Sequence, residues 1–81
     1  MFKNKSITGK NNICGEKVCA LRKQHSPKMS QRILAEKLQL KGIDVDKNAI
    51  QRIESGERFV IDIELAALAE VFGITADELI K

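Results

Sequence analysis

The apolar positions of this chain recur at helical spacing. Ile13, Val18 and Leu21, with the aliphatic stem of Arg22, can share one face of a first helix over about residues 13–24. His25-Ser26-Pro27-Lys28 stops it, because Pro27 disfavours helical geometry at the residue before it. Ser30 is a good N-cap for a second helix, Gln31 to about Leu40, with Leu34, Ala35 and Leu38 as its apolar stripe. Gly42 can supply the positive φ that ends a helix, which makes residues 41–45 a connection. Asp46 then caps a third helix, Lys47 to Ser55, in which only Ile50 and Ile53 are strongly apolar. A turn at residues 55–58 leads to a fourth helix from about Asp62 to Phe72. Its Leu65, Leu68, Ala69 and Phe72 should face inward, and Gly73 closes it. Thr75 and Glu78 form a capping box that opens a last short helix carrying Leu79 and Ile80. No stretch alternates with period two for long enough to make a strand. The expected fold class is all-α, with five helices.

Eighty-one residues allow one compact core, and aromatic residues are too few to build it, since all three are Phe. Leu, Ile, Val and Ala must carry the interior. Residues 1–12 are polar, basic and aperiodic, so they read as a disordered basic tail ahead of a domain over 13–81. No apolar run approaches the roughly 18 residues of a membrane span, and no signal-peptide stretch opens the chain. A cytoplasmic protein is expected. Cys14 and Cys19 with the single His25 do not supply the paired ligands of a zinc site, so two reduced thiols and no metal are expected. Neither a Ser/His/Asp set, a Gly-rich phosphate loop nor paired carboxylates with a cleft can be found, and we expect neither cofactor nor catalysis.

Charge changes the picture. Residues 1–58 hold 13 Lys/Arg against 6 Asp/Glu, whereas residues 59–81 hold 1 against 5. A basic part joined to an acidic one suggests that the basic part meets a polyanion. The third helix offers the chemistry for it, because Lys47, Asn48, Gln51 and Arg52 lie on the side away from Ile50 and Ile53. Asn and Gln suit adenine and Arg suits guanine, so these four are the candidate base contacts if the polyanion is DNA.

Ser30-Gln31-Arg32-Ile33-Leu34-Ala35-Glu36-Lys37-Leu38, then Ile50-Gln51-Arg52-Ile53-Glu54-Ser55-Gly56, then Leu65-Ala66 through Phe72-Gly73-Ile74, resemble in order and spacing the Cro/repressor-type helix-turn-helix family, the xenobiotic-response-element class. The resemblance covers nearly everything but the tail. It implies a compact five-helix, lambda-repressor-like DNA-binding domain with the helix-turn-helix at helices 2 and 3. It further implies a bacterial or phage transcriptional regulator, a repressor by type, on double-stranded operator DNA. One such domain contacts few base pairs, so a homodimer on a palindromic operator follows, with Val71, Ile74, Leu79 and Ile80 as its pairing surface. Gln31 would clamp the phosphate backbone, with Lys41 and Arg58 as further phosphate contacts and Lys28, Arg32 and Lys37 as lesser ones. Ala35 would let the two helices cross closely, and Glu54 would be structural. The connection at residues 39–45 is longer than is usual in the family, which marks a subclass. Two other readings compete: a protein-interaction module such as an antitoxin-like partner, and the DNA-binding domain of a longer regulator.

Overall fold

The computed structural model describes residues 10–80 and contains five helices, with no strand among those residues. They are α1 (Gly15–Gln24), α2 (Gln31–Leu40), α3 (Lys47–Ser55), α4 (Asp62–Phe72) and α5 (Ala76–Ile80). Four of the five match the expected bounds, because each starts or stops on a local signal. Ser30 Oγ accepts from the Ile33 amide at 3.1 Å and Asp46 Oδ1 from the Ala49 amide at 2.8 Å. Thr75 and Glu78 make reciprocal bonds between side chain and amide, as a capping box requires.

Each helix sends one side chain fully out of water. Val18, Leu34, Ile50 and Leu79 show no exposure, and Leu68 of α4 shows 1%. α3 packs against both α1 and α2, while α4 lies on α2 and α5 and α5 returns to α1. Ala35 is buried, as a close helix crossing needs. Within α4 the inward face is shifted: Ala67, Leu68 and Ala69 are buried, while Leu65 and Phe72 are half-buried at its edges.

The long connection between α2 and α3 is a real loop and not an extra helical turn. α2 ends in a paired closure, with the Ile43 amide donating to the Leu38 carbonyl and the Gly42 amide to Gln39, and Gly42 at φ 84° makes the reversal possible. The loop is then pinned twice. Val45 is buried in the core, and Gln39 Nε2 donates to the Val45 carbonyl at 2.7 Å.

The start of the chain's order departs from expectation. α1 begins at Gly15, and Ile13 is 60% exposed instead of joining the apolar face. Of the tail expected over 1–12, residues 1–9 lie outside the described residues, but 10–12 pack against the end of α3. The Asn11 amide donates to the Gly56 carbonyl at 2.7 Å, and Asn11 Nδ2 to the Glu57 carbonyl. Asn12 is buried with its whole amide engaged: Nδ2 donates to the carbonyls of Ile53 and Arg58, and Oδ1 accepts from the Gly15 amide at 2.7 Å. The two chain segments touch at Gly15, where a β-carbon would run into the Ile53 carbonyl oxygen.

Candidate functional site

Three features aim the outer face of α3. Asp46 fixes its start. Ile50 and Ile53 bury its inner side. Gly56, at φ 86°, closes its end, with the Gly56 amide donating to Ile53 and the Glu57 amide to Arg52. Opposite the isoleucines, Lys47, Asn48, Gln51 and Arg52 are all exposed. At 100° per residue they span an arc of roughly 140°. None of their side chains makes a hydrogen bond or ion pair among the described residues, so sequence pattern and structure agree on one open face of donors.

No carboxylate of α3 shares that face, because Glu54 turns inward. Its oxygens accept from Arg22 Nε at 2.6 Å, Arg22 Nη2 at 3.0 Å and Gln31 Nε2 at 3.0 Å. The side chains of Arg22 and Glu54 are only 13% and 7% exposed. Burial pushes the Glu54 carboxyl up, but the Arg22 and Gln31 hydrogen bonds and the Arg22 charge outweigh burial and hold it below the ordinary range. A third Arg22 bond, Nη1 to the Met29 carbonyl at 3.3 Å, ties in the turn before α2. The network therefore joins α1, α2 and α3 at one point. The family resemblance implied only that Glu54 was structural; the Arg22 head group and Asn12 carried no local signal, since their partners lie 32 and 41 residues away.

The expected phosphate contacts do not form one group. Gln31 sits beside α3, its amide sharing Glu54 with Arg22, and one N–H remains for an outside acceptor. Lys41 and Arg58 are both tied to α4. Lys41 Nζ is 2.6 Å from Glu70, a pair open to water on the Glu70 side. Arg58 makes a bidentate pair with Glu64 at 2.8 and 2.9 Å and also donates to the Phe59 carbonyl. The Arg58 hydrogen bond, helped by one from the Ile61 amide, holds the Glu64 carboxyl below its usual range against the opposing effect of burial. Arg58 is thus committed to the first turn of α4. Of the lesser candidates, Arg32 pairs with Glu36 at 3.3 Å, and Lys28 and Lys37 are exposed without an ion pair among the described residues.

The expected pairing surface is not available as a unit. Leu79 is fully buried, and Val71 and Ile74 are half-buried against the core, leaving only Ile80 substantially open. An amphipathic helix end looks the same in sequence whether its apolar side meets its own core or a second chain.

Other chemistry is sparse. Cys14 and Cys19 are both free, and burial pushes the Cys14 thiol up. Among the described residues no cluster of three His, Cys, Asp or Glu could hold a metal ion, and no helix is long and apolar enough to cross a membrane. A depression of about 130 Å3 lies between Lys10, Gly15, Glu54 and Gly56, below the roughly 300–1,000 Å3 of small-molecule sites. Comparison of the chain with protein-family models, curated proteins and solved structures returned no match.

Proposed function

We propose that this protein binds double-stranded DNA through a helix-turn-helix made by α2 and α3, with α3 in the major groove, and regulates transcription as a repressor of bacterial or phage type. The observation that carries the reading is the unpartnered face of Lys47, Asn48, Gln51 and Arg52 on a helix whose other side is buried. A helix offering Asn, Gln and Arg side chains together can read adenine and guanine edges, and such a helix is useful only if its orientation is fixed. The Arg22–Glu54–Gln31 network, the Asn12 clasp and the Val45 plug all restrain α3 or its two ends.

Phosphate contacts then fall to groups beside α3. Gln31 keeps a free donor at the start of α2, where helix amides also favour an anion. Lys41 can exchange Glu70 for a phosphate at small cost, because exposed ion pairs contribute little. Arg58 serves instead as a brace for α4.

Selection of bound duplexes from a random pool tests the reading. It should return a short conserved site, and affinity for that site should fall linearly in log K against log salt as counterions are released. Recovery of no preferred sequence, with a salt slope near zero, would remove the proposal.

A further inference from the structure

Residues 41–46 join α2 to α3, whereas a helix-turn-helix needs a turn of only roughly three or four residues. Each further residue brings another pair of soft φ/ψ torsions, so a longer connection by itself leaves the direction of α3 looser. Here a bond across the connection takes up the slack. Gln39 Nε2, from the last turn of α2, donates to the Val45 carbonyl at 2.7 Å. Val45 directly precedes Asp46, the N-cap of α3, and its own side chain is buried. No backbone amide among the described residues donates to that carbonyl, and no other side chain from outside residues 42–48 hydrogen-bonds to them. The Gln39 amide therefore stands alone at the entry of α3, while Asn12 and Glu54 together hold the exit.

We propose that Gln39 is a positioning residue for sequence readout: it sets the direction in which the first turn of α3 enters the major groove, and so where Lys47 and Asn48 meet the base edges. The inference rests on the DNA-binding reading for its effect on readout, and on the Gln39–Val45 contact alone for its hold on α3. The residues of a recognition helix that reach base edges lie towards its amino-terminal end. Lys47 and Asn48 open α3 directly after the cap, whereas Arg52 lies further on, nearer the Asn12 and Glu54 anchors. A small tilt at the entry consequently displaces the first pair more than Arg52. Base contacts depend on bidentate geometry and fail under such a tilt, whereas attraction to phosphate is largely a matter of charge and survives it. Gln39 carries no charge, so its loss leaves that attraction as it was.

Gln39→Met isolates the bond. It keeps an unbranched stem and a similar helix propensity, and at an exposed position it removes only the donor. Loss of one such hydrogen bond shifts an equilibrium by about fivefold. Amide hydrogen exchange of the protein alone should therefore run about fivefold faster at Ala49 and Ile50, whose amides donate to Asp46. It should be unchanged at Glu57, whose amide donates to Arg52 at the far end.

Binding isotherms on the preferred and a scrambled duplex carry the functional half of the test. Gln39→Met should lose about fivefold on the preferred duplex and keep the parent's affinity and salt slope on the scrambled one. Combined with Asn48→Ala it should lose little more than Asn48→Ala alone, whereas with Arg52→Ala the two losses should multiply. Equal exchange rates in Gln39→Met and parent overturn the proposal, and so does faster exchange at both ends of α3, which is general loosening. An unchanged affinity for the preferred duplex overturns it too, as do losses that multiply with Asn48→Ala. Equal losses on both duplexes make Gln39 a DNA contact in its own right and likewise end the proposal. Faster exchange confined to the entry, in a protein that binds no duplex, sustains the hold on α3 and removes only the DNA reading.

Discussion

Glu54 sits where three helices meet, and replacing it with Gln is the most informative single change. The carboxylate now accepts three hydrogen bonds, two from Arg22 and one from Gln31. Glu54→Gln keeps the shape but removes the charge, and turns an amide nitrogen towards donors. The Arg22 guanidinium, 13% exposed, is left largely without its counter-charge. Removing one partner of a buried pair costs about 3–5 kcal/mol, and the partial access of Arg22 to water lowers the expected loss to about 2–4 kcal/mol. For a domain this size each kcal/mol moves the melting temperature by roughly 4–8 °C, so thermal unfolding followed by circular dichroism should shift down by roughly 8–32 °C. The pH dependence gives an independent reading. Because the folded state holds the Glu54 carboxyl low, its stabilisation is complete above the unfolded value of about 4.3 and is lost as pH falls through the lower folded value. Glu54→Gln should therefore flatten the acid limb of stability, leaving the part due to Glu64, which is also held low. The paired change Arg22→Met with Glu54→Leu should recover much of the loss, since apolar replacement of both partners removes the stranded charge. A Glu54→Gln variant that melts within a degree or so of the parent would refute the claim that this network holds α3.

Four further single substitutions separate folding from binding. Gly15→Ala should lower stability by about 1–3 kcal/mol, measured by urea unfolding, because the added carbon meets the backbone carbonyl of Ile53 and not a movable side chain. Arg58→Ala should lower the melting temperature while leaving the salt slope of DNA binding unchanged, whereas Lys41→Ala should flatten that slope by about one unit with little effect on melting. Arg52→Ala should melt like the parent and lose about 1–3 kcal/mol on the preferred duplex, with a smaller loss on a scrambled one; equal losses on both would make Arg52 a phosphate contact.

The sequence by itself determined four of the five helices in their bounds, and the outward side of α3. Caps and stops act over three or four residues, so Ser30, Asp46, Gly42 and the Thr75–Glu78 pair could be read before any packing was known. Ile50 and Ile53 likewise told which side of α3 is buried, and hence that Lys47, Asn48, Gln51 and Arg52 face out. Tertiary structure decided what periodicity is blind to, namely which apolar residue meets a partner and which charge is already taken. Leu79 and Ile61 are both aliphatic side chains near a helix end, yet one is fully buried and the other is 55% exposed. The charge asymmetry pointed to a basic part free to meet a polyanion, but Glu64 and Glu70 reach back to Arg58 and Lys41, so part of the asymmetry closes within the molecule. Asn12 looked like tail and is a buried clasp, because its partners arrive from 41 and 46 residues away. A hydrogen bond spanning that distance leaves no mark on local sequence; it exists only once the fold has brought the segment before α1 against the end of α3.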